Sequence, residues 1–158
     1  MEFQRGEFTI NTEKDRLQVD MVHHYLTTEA YWTTGRTRAT TEKAIANSLC
    51  FGLYHGDRQV GFARVVTDHT VFAYLCDVFV LEDYQGQGLG KWLTESILEV
   101  LDEEGVRWTM LATRDAHELY EDYGGFQKLH LPEKWMGRVN PRLLQGSGQS
   151  YTVPGDGM

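Results

Sequence analysis

The stretch VFAYLCDVFVLEDYQGQGLGKWLTESILEV, residues 71–100, carries most of the information about the fold. Val71 to Leu81 is an almost continuous apolar run, rich in β-branched and aromatic residues, as in a central strand buried on both faces. Alternating glycines follow at Gly86, Gly88 and Gly90. A helix is predicted next, because apolar residues then recur with a period of about 3.6 residues. The predicted order is therefore strand, glycine loop and amphipathic helix.

The glycine loop has the composition of an anion site. Glycine lets the backbone take positive φ and approach a ligand closely, and free N–H groups at a helix N-terminus favour phosphate. A tight turn without a ligand would need only one glycine. A P-loop is not matched, because Lys91 is followed by Trp92 rather than Ser or Thr. The dinucleotide fingerprint is not matched either, because the glycines alternate and the strand comes late in the chain.

The other segments predict an α/β (α+β) fold in one domain over residues 1–144, with a mixed, mostly antiparallel central sheet flanked by helices. The front of the chain is predicted to be helical. Residues 145–158 are rich in glycine and polar residues and are expected to form a flexible tail. The predicted elements outside the central stretch are helices Val19–Leu26, Thr41–Leu49 and Ala116–Tyr123, and strands Cys50–Tyr54, Gln59–Val66, Trp108–Ala112 and Phe126–Leu129.

Composition excludes several function classes. The chain has 158 residues and a net charge of −8, which weighs against nucleic-acid binding and against docking on anionic membranes. No apolar run approaches the length of a membrane span, and the first residues lack an apolar signal core. Cys50 and Cys76 have no metal-ligand or disulfide-framework spacing. We therefore expect a cytoplasmic protein with reduced thiols.

Three segments resemble the GNAT N-acetyltransferases. Gln85-Gly86-Gln87-Gly88-Leu89-Gly90 resembles the Gln/Arg-x-x-Gly-x-Gly/Ala loop that binds the acyl-CoA pyrophosphate in that family. Asp77-Val78-Phe79-Val80 resembles the family's fourth strand, and Leu119-Tyr120 with Gly125-Phe126 resembles its late Tyr…Gly-Phe signature. The resemblance covers residues 60–129. It implies acetyl-CoA as cosubstrate and a sheet that is splayed at the acyl-CoA cleft.

The resemblance also implies which residues bind acetyl-CoA. The backbone N–H groups of Gln87, Gly88 and Gly90 would hold the pyrophosphate, and the strand would bind the pantetheine and polarise the thioester carbonyl through the N–H of Val78. The full set of expected cofactor-binding residues is Val78, Phe79, Val80, Gln85, Gly86, Gln87, Gly88, Leu89, Gly90 and Lys91. No metal is expected, since His23 and His24 diverge on a helix and no third ligand is spaced nearby.

Two residues are candidates for moving protons. By its position in the signature Tyr120 is the expected general acid, although four residues rather than three separate it from Gly125, which leaves Tyr123 as an alternative. Asp77 is the only charge in the apolar strand and is the candidate base, because burial would raise its pKa. The other interpretation of Asp77 is a structural ion pair with Arg64 or Arg114.

The acceptor is expected to contact Trp32, Arg64, Tyr74 and His117, with Arg36 as a further candidate from the same loop as Trp32. The predicted function is direct acetyl transfer from acetyl-CoA to a primary amine of a small molecule. The alternatives are a protein lysine or N-terminal acetyltransferase and a non-catalytic acyl-CoA-binding module. A homodimer is a further expectation, since dimers are common in the family.

Overall fold

A single mixed sheet organises the protein. The computed structural model describes residues 1–30, 35–138 and 140–143. Within these residues six strands lie in the order β1-β2-β3-β4-β5-β6, with every neighbouring pair antiparallel except β5 and β6, which are parallel. The strands are β1 (Glu2–Arg5), β2 (Phe8–Asn11), β3 (Leu49–His55), β4 (Arg58–Thr67), β5 (Phe72–Val80) and β6 (Trp108–Leu111). The predicted α+β class is confirmed.

Helices cover both faces of the sheet and divide the core in two. They are α1 (Val19–Thr28), α2 (Arg38–Ala46), α3 (Leu89–Glu103) and α4 (His117–Gly124). One cluster packs α3 and α4 against the sheet through Leu93, Ile97 and Tyr120. The other packs α1 and α2 against the opposite face, through Leu26 and Ile45. Burial of each large aliphatic side chain contributes about 1.5–3 kcal/mol, so the apolar stripe of α3 holds it firmly on the sheet.

The front of the chain differs from the prediction, because it begins with a β-hairpin. A two-residue turn with Gly6 at φ +60° joins β1 and β2, and β2 then pairs with β3. Ile10 is fully buried in the larger core cluster. The sequence signal was present in the alternation of Phe8 and Ile10 after a glycine, but the charged residues around it resemble those of a solvated terminus.

The start of one helix and one late strand also differ from the prediction. Helix α2 begins at Arg38 rather than Thr41, because the side chain of Thr37 accepts the Thr40 N–H and caps the helix. The predicted strand over Phe126–Leu129 is wrong, and these residues form no strand in the described structure. Gly125, at φ +64°, ends α4 in the left-handed conformation and the chain folds back, so that Phe126 packs edge-on against Tyr120.

Candidate acetyl-CoA and acceptor site

The glycine loop joins the end of β5 to the start of α3. Gly86 and Gly88 both have φ +75°, a conformation that side chains disfavour, and Gly88 is the N-cap residue of α3. Gly90 has no such constraint, and a Cβ at either Gly86 or Gly90 would meet no protein atom within 4 Å. The space beside these glycines is therefore open and available to a ligand.

The electrostatics of the loop suit an anion. No side chain caps the N-terminus of α3, and its first turn carries no acidic residue. The N–H groups of that turn and the helix dipole therefore favour negative charge at this point. The open cradle and the uncapped amides together fit the diphosphate of acetyl-CoA.

Arg5 adds positive charge to the loop and was missed by sequence reasoning. Its guanidinium Nη1 donates to the Gly88 carbonyl at 3.4 Å, and the group lies 5.9 Å from the Trp92 ring. Arg5 comes from β1, 83 residues before Gly88. Only the N-terminal hairpin brings the two together, so no local pattern could have found this contact.

The side chains of the other expected cofactor-binding residues have different surroundings. The amide of Gln85 donates to the Val80 carbonyl at 2.8 Å and so ties the loop to the end of β5. Phe79 and Leu89 are buried on opposite sides of the sheet, which leaves only their backbone groups for a ligand. The ammonium of Lys91 lies 4.2 Å from the Tyr123 ring centroid and links α3 to α4.

Strand β5 is where the sheet opens. It pairs with β6 only from Phe72 to Leu75, opposite Trp108–Leu111, and then continues to Val80. Beyond Leu75 the described residues give β5 no partner on the β6 side, whereas β4 continues on the other side. The edge that includes Val78 is therefore exposed to the gap between β5 and β6, as the splayed sheet requires.

A β-bulge interrupts β5 beside this edge. Phe62 pairs with Phe79 and Arg64 pairs with Cys76, so that Ala63 alone lies opposite two residues of β5. One of the two is Asp77, whose φ is +52°. Asp tolerates this conformation better than most residues. The bulge turns the Asp77 side chain toward the face of the sheet that carries α2.

Asp77 is bound by two arginines. Its carboxylate, fully buried, accepts from Arg36 Nη1 at 2.8 Å, from Arg36 Nη2 at 3.3 Å and from Arg64 Nε at 2.7 Å. Burial alone would raise the pKa of Asp77, but the hydrogen bonds from Arg36 and the charge of Arg64 together lower it. The expectation of a raised pKa is wrong. Arg64 was the expected partner, and Arg36 supplies the second guanidinium.

Tyr120 and Tyr123 have contrasting environments. Tyr120 is buried, and burial, aided by the charge of Asp115, raises its pKa to about 12. Tyr123 is 45% exposed. The extra residue before Gly125 is accommodated because α4 continues to Gly124. The chain is closely packed there, since a Cβ at Gly124 would lie 2.7 Å from Phe126. Tyr120 is therefore the water-shielded phenol of the pair.

The predicted acceptor-binding residues are only partly brought together. Tyr74 lies close enough to Arg64 and Asp77 for their charges to act on its phenol, and burial raises the pKa of Tyr74. His117 is exposed and lies one turn before Tyr120 on α4. Trp32 lies outside the described residues, as do residues 145–158 of the predicted tail.

A cavity of about 720 Å³ lies between β6, α4 and the segment that follows α4. Tyr120 and His117 both line it, together with Leu98 of α3. None of residues 77–91 reaches it. The cavity therefore meets the candidate site at Tyr120 and is separate from the glycine loop.

Two further features concern the described residues only. No three His, Cys, Asp or Glu side chains among them are grouped so that they could hold a metal ion. None of their helices combines the length and the apolar character that crossing a membrane requires.

Comparison with known proteins gives consistent matches. The model of the acetyltransferase (GNAT) family matches residues 19–126. A Gibberella zeae protein, named as a candidate acetyltransferase, is 32% identical over 167 residues, which cover 93% of this chain and 94% of that protein. A solved structure of a candidate GNAT acetyltransferase from Xanthomonas campestris pv. campestris has a TM-score of 0.81 and 37% identity, covering 90% of this chain and 99% of that chain. A GNAT acetyltransferase of Elizabethkingia anophelis with acetyl-CoA bound is 13% identical at a TM-score of 0.59, over 75% of this chain and 76% of that one, and shows likeness of fold alone.

Proposed function

Because this chain belongs to the GNAT acetyltransferase family and is an N-acetyltransferase, we propose that it acetylates a primary amine of a small molecule, with acetyl-CoA as donor. The observation that carries the proposal is the uncapped, glycine-lined start of α3 next to the open edge of β5. Acetyl-CoA supplies an activated thioester carbonyl, which the amine attacks directly. A C–N bond forms and the C–S bond breaks. The nitrogen loses one proton when the ammonium becomes the free amine and a second when the amide forms, and the second neutralises the thiolate.

The loop and β5 hold the donor. Backbone N–H groups of Gln87, Gly88 and Gly90 bind the diphosphate, with the Arg5 guanidinium beside them. The N–H of Val78, on the open edge of β5, donates to the thioester oxygen as negative charge develops there. Apart from Arg5, these groups are backbone amides of the loop, of the start of α3 and of β5, so they are in place before the charge forms.

Tyr120 stabilises the leaving sulfur. With a pKa of about 12 its phenol is protonated at every physiological pH. Full transfer of that proton to a thiolate whose conjugate acid has a pKa near 8.5 would be unfavourable by about a thousandfold. Tyr120 therefore acts by donating a hydrogen bond to the departing sulfur, and the proton that neutralises the thiolate comes from the amine through water.

Asp77 is assigned a positioning role in place of the role of base. A carboxylate that already accepts hydrogen bonds from two guanidiniums has little affinity for a proton. It holds Arg36 and Arg64 together and anchors the bulge that precedes Val78. The amine therefore loses its proton to a group other than Asp77, or to water, before it attacks.

Replacement of Tyr120 by Phe tests its role. We expect kcat to fall by about 100-fold, in the range for loss of one preorganised hydrogen-bond donor, while the KM for acetyl-CoA changes little. Because the pKa of Tyr120 is about 12, the wild-type rate should show no loss from its ionisation below about pH 11. Tyr123→Phe is the matched control and should retain the wild-type kcat. Equal losses in the two variants, or a loss only in Tyr123→Phe, would contradict the assignment.

Thermal unfolding with and without ligands tests the function as a whole. At 100 times its dissociation constant, acetyl-CoA should stabilise the protein by about 2.7 kcal/mol, whereas ATP at the same concentration should not. Release of free CoA thiol should then follow on addition of small amines. The absence of any shift with acetyl-CoA or CoA would refute the proposal. Faster turnover with a lysine peptide than with any small amine would favour the protein-acetylating alternative. The net charge of −8 supports that alternative, because an acidic protein attracts a basic peptide.

A further inference from the structure

Two guanidiniums share one carboxylate beside the acceptor end of the site. Arg36 and Arg64 both form salt bridges with Asp77, and their side chains are only 16% and 13% exposed. Within the described residues neither guanidinium has a salt bridge to any other carboxylate. Charge removed from water is costly unless it is neutralised. The three side chains, here called the Arg36–Asp77–Arg64 cluster, carry one unbalanced positive charge.

The neighbouring polar groups do not supply the missing negative charge. Cys50 and Cys76 are the register partners of Arg64 on either side, and burial raises their pKa values to about 11 and about 12. Burial also raises the pKa of Tyr74. Ser48, which accepts from Arg64 Nη1 at 3.0 Å, is uncharged. Among the described residues, these four neighbours of the cluster are therefore neutral at neutral pH.

Donors are also left over. Arg36 uses Nη1 and Nη2 on Asp77, while Arg64 uses Nε on Asp77 and Nη1 on Ser48. In the described part of the chain, neither Arg36 Nε nor Arg64 Nη2 has a hydrogen-bond acceptor. Guanidinium groups with free donors and excess charge bind carboxylate and phosphate oxygens well, because several parallel N–H bonds can form.

The cluster lies next to the strand position that is proposed to bind the thioester. Asp77 directly precedes Val78, whose N–H is proposed to bind the thioester oxygen, and Arg36 lies immediately before the cap of α2. The glycine loop and α3, to which the proposed function assigns the donor, lie on the other side of β5. An amine that reaches the thioester from the α1–α2 face therefore comes close to both guanidiniums.

From these observations, and resting on the proposed function, we propose that the acceptor is a small amine that also carries an anionic group, and that the Arg36–Asp77–Arg64 cluster binds this group. The excess positive charge has a second effect on such an acceptor. It disfavours the ammonium form of the nearby amine and so increases the fraction of the neutral nucleophile. Polyamines and lysine-rich peptides meet repulsion at the same place, although the protein as a whole is acidic.

Matched acceptors test this inference. Initial rates of CoA release would be measured for amino acids against their carboxamides, and for an amino sugar against its phosphate ester. We expect kcat/KM to be at least about 10-fold higher for the anionic member of at least one pair, since charge-assisted hydrogen bonds are lost in the other member. The carboxylate and phosphate arms distinguish the two sources of the anion. Equal rates within every pair would overturn the inference and leave the proposed function intact.

The variant Arg36→Gln assigns the preference to the cluster. It removes the excess charge and leaves Asp77 paired with Arg64. We expect the ratio of kcat/KM for the anionic and neutral acceptors to fall by about 10-fold. Arg38→Gln is the matched control, because it removes the same charge two residues away, from an exposed side chain paired with Glu42. An unchanged ratio in Arg36→Gln, or an equal fall in Arg38→Gln, would overturn the assignment. No turnover with any amine would refute the proposed function itself, and this inference with it.

Discussion

The variant Gly90→Glu is expected to abolish acetyl-CoA binding without loss of stability. Gly90 lies in the first turn of α3, has no left-handed φ, and points its Cα hydrogen into open space. A glutamate there would place a carboxylate in the space assigned to the diphosphate. At about 5 Å and an effective dielectric constant of about 20, each like-charge pair costs about 3 kcal/mol, or roughly 100-fold in affinity.

The folded state tolerates this change for two reasons. Glutamate is a better helix former than glycine, and a negative charge in the first turn interacts favourably with the helix dipole. The midpoint of thermal unfolding should therefore equal or exceed that of the wild type. Gly90 is a better position for this test than Gly88, because any side chain at Gly88 would be strained at φ +75°.

The measurement is the ligand-induced shift of the thermal midpoint, together with the KM for acetyl-CoA. Gly137→Glu is the matched control, because Gly137 also faces open space, has no left-handed φ and lies outside the site. It makes the same chemical change and should leave the shift intact. A normal shift in Gly90→Glu would show that the loop does not hold the diphosphate.

The variant Asp77→Asn is expected to destabilise the protein by about 3 kcal/mol, since removal of one partner leaves buried charge uncompensated. For a protein of this size such a loss lowers the thermal midpoint by about 10 °C. Asparagine keeps the shape of the side chain and tolerates the left-handed φ of +52°. The effect therefore reports the charge, because the backbone of the bulge is preserved.

The pH dependence of this effect has a definite sign. The pKa of Asp77 in the folded protein is below its ordinary value of 3.8. Its contribution to the free energy of unfolding is therefore fully present well above pH 3.8 and is lost as the pH falls through the folded-state pKa. The stability difference between wild type and Asp77→Asn should be constant near neutrality and should shrink only in acid.

The control for Asp77→Asn is Asp20→Asn. Asp20 pairs with Arg38 at the surface, where its side chain is 92% exposed, so its loss should change stability by less than about 1 kcal/mol. Urea unfolding of the two variants between pH 3 and pH 8 makes the comparison. If Asp77→Asn had wild-type stability but a much lower turnover rate, the result would support the role of base and contradict the positioning role.

Local sequence was sufficient for the central part of the fold. The apolar run of β5, the alternating glycines and the amphipathic stripe of α3 are each read from neighbouring residues, and all three elements occur as predicted, within one or two residues. These features could be predicted because the backbone preferences and periodicities that produce them extend over only a few residues.

Two predictions were wrong, one at the N-terminus and one after α4, because the local sequence there favours a different structure. The N-terminal hairpin is stabilised by pairing with β3, whose register partners lie 41 to 47 residues along the chain, and its own sequence is polar enough to resemble a tail. The segment Phe126–Leu129 has the composition of a strand, but the left-handed Gly125 and the packing of Phe126 on Tyr120 direct it away from the sheet. In both cases partners distant in sequence or packing outweighed local propensity.

The amino-acid order alone thus determines a glycine loop between a buried strand and a helix, and with it the resemblance to acetyl-CoA-dependent enzymes. The charge on the acceptor side of the site depends instead on the tertiary structure. Asp77 meets Arg64 across 13 residues and Arg36 across 41, and it does so because a one-residue bulge rotates β5 at that point. Since a shift of one residue in a strand turns a side chain to the opposite face, only the folded sheet establishes that a buried carboxylate is a partner of two arginines and not a free base.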